Sequence, residues 1–351
     1  MLDAFDFSEI QAYLNALEGA GRQLSFVELL ELLMSGKWQE ACTLLFDSVK
    51  TALFAEFSSG GRIFVQLLLI GIAAAVFANF TSVFEKSQIA QAGFYITYLL
   101  LFSLLAAGFL NGLNIAMRAV ERVTGFMKVL LPAYFMAVAF SGNAGTALVS
   151  YEASLFFIFV LEKLLQLILI PMLKIYIFLV LAGHICEEDL LSRMRELTEK
   201  CIQWGMKTLL GAVVGFQILQ GLLLPYADAV KTGGVQKVLS VVPGVGQAAG
   251  AAMQLLLGSG VLIKNTIGVG AMAILALICL LPIVKLCTFM LFYSFAAAIL
   301  QPVCDKRMVS CIAESAHGYR LLLGMVLTVC TLFFITIALV CASSNVSYFS
   351  G

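Results

Sequence analysis

Five ionisable side chains stand inside long apolar stretches: Glu162, Lys163, Lys174, Lys264 and Lys285. An ion in hydrocarbon is costly, so such a group usually serves a buried partner, a polar path or a transported species. Lys163 and Lys174 are 11 residues apart, which on a helix puts them on one face to within about 20°. Glu162 adjoins that face and is placed to pair with a lysine from another span. Lys174 and Lys285 each follow a proline by three residues, Pro171 and Pro282. There a long amine can cap carbonyls freed by proline, line a polar path, or reach out to the interface. Asn265, beside Lys264, completes the polar set. None of these residues forms a catalytic constellation. HExxH and GxGD signatures are absent, and Gly258-Ser-Gly260 lacks the strand–turn–helix setting of a nucleophile elbow. His184 and Cys186 with Glu187, Glu188 and Asp189 read as a solvated loop rather than a metal site. No enzymatic activity and no cofactor are expected.

The elements that carry these groups follow from composition. Of 351 residues, 61% are hydrophobic and 12% charged, against about 25% charged in soluble domains. A water-soluble enzyme and a disordered chain are both excluded, and an all-α polytopic membrane protein remains. Net charge is zero, so no nucleic-acid footprint is present. Membrane lipid is a partner by composition. Nine cysteines are scattered without a CxxC pair, which argues against a disulfide framework. Residues 1–20 lack a basic stretch followed by an apolar one, so no cleavable signal peptide is expected.

Residues 1–61 form an acidic N-terminal region, with nine acids and three bases. Within it, residues 8–18 suit a short amphipathic helix. Ser25 and Glu28 suit a capping box, with Gly36 as the stop. A second helix is expected from about Trp38 to Phe57. Seven apolar segments follow, each long enough to span a bilayer at about 20 residues. They are Ile63–Phe84, Gln91–Met117, Val129–Val149, Ser154–Gly183, Met206–Tyr226, Thr266–Gln301 and Leu321–Ala342. Pro132, Pro171 and Pro282 are kink positions. The stretch from Lys231 to Asn265 is rich in glycine and small residues. Pro243, Gly244, Gly246, Gly258 and Gly260, with Gly268 and Gly270 beyond, suggest a re-entrant or broken helix, tolerated at membrane depth only where protein or water satisfies the backbone.

An internal repeat accompanies this pattern. Thr124-Gly125…Pro132 resembles Thr232-Gly233…Pro243, and the segment around Pro171 resembles that around Pro282, both at an offset of 111 residues. The domain reading is 1–61, then two transmembrane helices in 62–119, repeat one in 120–226, repeat two in 229–342 and a polar tail in 343–351. Internal repeats characterise transporters and permeases. Basic residues gather at 118–128, 193–207 and 306–320. If the Gly-rich stretch re-enters, these three clusters lie on one side, which the positive-inside rule makes cytoplasmic. If it spans, the last one flips and the repeats are inverted.

The order of Val242-Pro-Gly-Val-Gly246, Gly260-Val-Leu-Ile-Lys-Asn265, Ile267-Gly-Val-Gly270, Pro282-xx-Lys285 and Ala296-Ala-Ala-Ile-Leu-Gln-Pro302 resembles stage III sporulation protein AE of endospore-forming bacteria. Val123-Thr-Gly-Phe-Met127, Leu131-Pro132 and Ser141-Gly-Asn143 match as well. The resemblance covers most of residues 60–345. It implies a permease-like member of the channel, or feeding-tube, complex that joins the mother cell to the forespore and sustains late forespore transcription. It implies residence in the mother-cell (outer forespore) membrane. The partners implied are the other stage III sporulation proteins of the same operon, including ring-forming proteins and an ATPase, and the forespore protein Q. A homo-oligomer is compatible with this. Family precursors carry a leader, which would place residues 1–61 outside the cytoplasm. The rival readings are a stand-alone secondary transporter of a small solute and a non-conducting scaffold.

Overall fold

The computed structural model describes residues 7–16, 25–37, 39–41, 43, 88–141, 144–184, 191–239 and 246–343, with isolated positions between 65 and 76. Regular structure among the described residues is helical. The two N-terminal helices are α1 (Ser8–Ala16) and α2 (Phe26–Met34). The large helices are α3 (Gln88–Phe140), α4 (Ala144–Leu164), α5 (Ile170–Gly183), α6 (Ser192–Leu239), α7 (Gly246–Leu300) and α8 (Lys306–Ser343). A π-helical turn, Leu165–Leu169, joins α4 to α5. Counted with α4 and α5 as one, five helices among the described residues are long and apolar enough to cross a membrane.

The start of α2 follows its sequence closely. Ser25 is the N-cap, its hydroxyl accepting from the Glu28 N–H. At the other end Gly36 takes φ +75°. The Gly36 and Lys37 N–H groups then bond to the Leu33 and Leu32 carbonyls, a glycine-dependent Schellman closure. The expected helix from Trp38 to Phe57 lies largely outside the described residues, as does the expected span Ile63–Phe84.

The large helices correct the expected segmentation. Gln91–Met117 and the start of Val129–Val149 belong to one helix, α3, of 53 residues. At about 1.5 Å per residue it is about 80 Å long, well beyond a hydrocarbon core of about 30 Å. The turn falls at Ser141, so the third expected span is divided between α3 and α4. Arg118, Glu121, Arg122 and Lys128 do not form a loop. Charge alone does not end a helix, and this stretch has partners. Tyr13 of α1 donates to the Arg122 carbonyl at 2.8 Å, and Lys128 pairs with Glu162 at 2.7 Å.

The broken-helix reading of the Gly-rich stretch is also corrected from Gly246 onward, where α7 runs unbroken for 55 residues. Gly260, Gly268 and Gly270 serve close approach instead, as small residues do between membrane helices. A Cβ on Gly260 would lie 2.8 Å from the Phe140 carbonyl oxygen, and one on Gly270 would lie 2.7 Å from Leu30 of α2. One on Gly268 would collide with the Cys341 sulfur. Pro243 and Gly244 lie outside the described residues. The prolines differ as well. Pro132 and Pro282 sit inside continuous helices, whereas Pro171 follows the π turn. Proline cannot donate to the carbonyl four residues back, and the wider turn accommodates that loss.

Helix α8 is central, packed against α3, α5, α6 and α7. Tyr98 of α3 donates to the Leu181 carbonyl at 2.6 Å and contacts Cys311 of α8. The start of α3, the end of α5 and the start of α8 therefore share one end of the bundle. The basic clusters beginning at Arg193 and Lys306 lie toward that end, whereas 118–128 sits within α3. Cys279 of α7 and Cys330 of α8 form a disulfide, Cα–Cα 6.6 Å. One pair is not the disulfide framework that the cysteine pattern argues against, and the other described cysteines are thiols. Two small side chains face each other where α7 and α8 pack.

Candidate functional site

The end opposite that basic one holds an interior polar layer. Helix α6 buries Ile202, Met206, Leu209, Val213 and Gln217 at spacings of three and four, the period of one helix face. That stripe presents Gln217 to α8. The Gln217 amide N–H donates to Thr336 at 2.7 Å, and the Thr336 hydroxyl donates to the Leu332 carbonyl at 2.8 Å. Gln220 reaches across to Ser150 of α4 at 3.4 Å, and Ser154 donates to the Ser150 carbonyl at 2.7 Å. These side chains, with Phe157, Leu339 and Val340, line an interior cavity of about 20 Å³. The Gln217 side-chain oxygen is buried there and has no protein partner. A site of that size with several polar groups suits one water molecule.

A second polar seam runs beside it between α3, α7 and α8. Lys264 is fully buried. One turn on, Tyr134 and Cys341 meet at 2.8 Å over Gly268. The Asn265 side-chain oxygen is buried without a hydrogen-bond partner. The two orphan oxygens of this layer, on Gln217 and Asn265, are acceptors, so the layer favours hydrogen-bond donors.

The candidate polar residues divide accordingly. Lys264 and Asn265 belong to this interior layer. Glu162 pairs with a lysine of another helix, Lys128. Lys163 is exposed and lies 5.9 Å from the Phe159 ring centre. Lys174 is exposed and Lys285 only half-buried, so the two Pro-xx-Lys positions have different surroundings. Lys163 and Lys174 both face outward and do not line a common interior path.

Sequence reasoning missed a polar cluster between α5, α6 and α8. Glu314 accepts from Tyr176 at 3.5 Å and pairs with Arg195 at 3.5 Å. His317 contacts Glu199 at 2.8 Å. Arg195 and Glu199 are four apart on α6, Glu314 and His317 three apart on α8, the spacings that share a helix face. That pairing of faces was the available signal. The missed Gln217, Gln220 and Thr336 had a weaker one, being uncharged polar residues in apolar runs.

The comparisons with known proteins agree with one another. A family model described as stage III sporulation protein AE matches residues 24–344. The stage III sporulation protein AE of Bacillus subtilis (strain 168) is 23% identical over 296 residues, spanning 84% of this chain and 74% of that protein. No solved structure matches.

Proposed function

Because the chain belongs to the stage III sporulation protein AE family, we propose that it is a membrane component of the sporulation channel complex and that its polar interior forms part of the passage. In this reading it sits in the mother-cell membrane facing the engulfed forespore. It assembles there with the other stage III proteins of its operon and with the forespore protein Q, and it sustains late forespore transcription. It acts by conduction or gating rather than catalysis.

The observation that supports a passage is the orphan Gln217 oxygen in a cavity between α4, α6 and α8. An unsatisfied buried acceptor costs stability, and an apolar residue would serve a merely structural seam better. The stand-alone transporter is the weaker reading, since a cavity of about 20 Å³ holds a water and not an organic solute. A test uses an endospore former deleted for its own copy of this gene and carrying a late forespore reporter. The wild-type chain restores the signal. Gln217→Leu and Gln217→Met reach the membrane at normal level and fail to restore it. Full restoration by both variants overturns the passage reading. A deletion strain with normal reporter output overturns the sporulation role itself.

A further inference from the structure

The first four turns of α6 present an outward stripe unlike the rest of the bundle surface. Arg193, Leu197, Lys200 and Trp204 recur at i, i+4, i+7 and i+11, so they stack along one face. All are exposed, Leu197 at 65% and Trp204 at 70% of their full surface. Glu196 and Cys201 flank them on the same helix. Glu196 sits between the two cations, 3.7 Å from Arg193 and 2.7 Å from Lys200. Lys207 is exposed one turn beyond Trp204, so the stripe is net positive. The opposite face of the same turns is buried through Thr198, Ile202 and Met206.

We propose that this stripe binds the headgroup of an anionic phospholipid, its phosphate drawing the Arg193 and Lys200 side chains outward from Glu196 and its acyl chain lying along Leu197 and Trp204. Three features favour lipid over a protein partner. Alternating basic and large apolar residues match a molecule with an anionic head and an apolar tail. Trp and Lys/Arg are the residues that settle at headgroup level. The stripe also opens a helix, Ser192–Gln220, apolar enough to cross a membrane, which puts it where an interface would fall. Arg and Lys act as complementary phosphate ligands, one a planar fork and one a point charge.

The chain has two tryptophans, so Trp38→Phe leaves Trp204 as the only indole. That full-length variant, reconstituted in phosphatidylcholine vesicles containing phosphatidylglycerol, is quenched by brominated acyl chains carried on either lipid. The expected result is preferential quenching by brominated phosphatidylglycerol. The enrichment is on the order of tenfold, as expected of two net basic charges at a lipid surface. Adding Arg193→Gln and Lys200→Gln abolishes the preference, and high salt weakens it in the parent. The salt series stands even where the triple variant fails to fold. Equal quenching by both brominated lipids overturns the headgroup assignment. Absence of quenching by either also overturns it and assigns the stripe to a second copy or another protein.

Discussion

Two alanine substitutions, two residues apart, distinguish a continuous α7 from a broken one. A Cβ on Gly258 meets nothing within 4 Å, whereas one on Gly260 lies 2.8 Å from the Phe140 carbonyl oxygen and 3.0 Å from the Ser141 Cα. Both substitutions gain helix propensity, about 1 kcal/mol each in a helix interior. Only Gly260→Ala adds an overpacking cost, about 1–3 kcal/mol, because the obstructing atoms are backbone and cannot rotate away. Gly258→Ala is therefore stabilising by up to about 1 kcal/mol. Gly260→Ala is neutral to destabilising by about 2 kcal/mol once the two effects are combined. The difference isolates the contact between α7 and the end of α3. Thermal unfolding of purified protein in one detergent reads it as a gap of a few degrees, at about 2–4 °C per kcal/mol in sizeable domains. The reasoning is refuted if Gly260→Ala is as stable as Gly258→Ala. Marked destabilisation by Gly258→Ala would point instead to a backbone break that alanine cannot adopt.

Three further outcomes follow from particular contacts. Asp305 caps α8, its carboxylate accepting from the Arg307 N–H at 2.8 Å. Burial pushes that carboxyl up, but the Arg307 hydrogen bonds outweigh it and hold it below the usual range. Its contribution is thus complete above the unfolded value and lost as pH falls through the lowered one. Asp305→Asn should flatten this part of the acid limb in a pH–stability series, and Asp305→Ala should cost about 1 kcal/mol at neutral pH. Lys128 and Glu162, partly exposed at 2.7 Å, should show a coupling of about 0.2–1 kcal/mol in a double-mutant cycle; zero coupling would mean the pair does not persist. Gln217→Leu should change thermal stability by no more than about 1 kcal/mol, because the hydrogen bond to Thr336 and the unsatisfied acceptor are lost together. A large loss of stability would show that a partner for that oxygen had been removed.

Much of the fold was legible because membrane solvent imposes simple rules. Apolar length marked the helices, and Ser25, Glu28 and Gly36 fixed α2. Segment boundaries were less legible. Arg118 to Lys128 looked like a loop, yet their partners come from α1 and from Glu162, contacts distant in sequence. Glycine was read as a backbone signal when at Gly260, Gly268 and Gly270 it is a packing signal, visible only once Phe140, Cys341 and Leu30 are in place. The candidate site was half legible. Lys264 and Asn265 announced themselves, Lys264 by its charge. Gln217, Gln220 and Thr336 are ordinary in composition and gain meaning only where α4, α6 and α8 converge.

The central claim, a polar passage through this bundle, is tested most directly by thiol accessibility in sporulating cells. Ser150→Cys, Gln220→Cys and Thr336→Cys are made singly on a chain whose native cysteines are replaced by alanine and which still restores the forespore reporter. Leu219→Cys, exposed on the bundle's outer face, is the lipid-facing control. The account predicts that silver ion, a thiol reagent about the size of a water molecule, modifies the three interior positions, which line a cavity of about 20 Å³, and spares position 219. Modification of none of the three, with a thiol in the loop between α7 and α8 readily labelled, would contradict it.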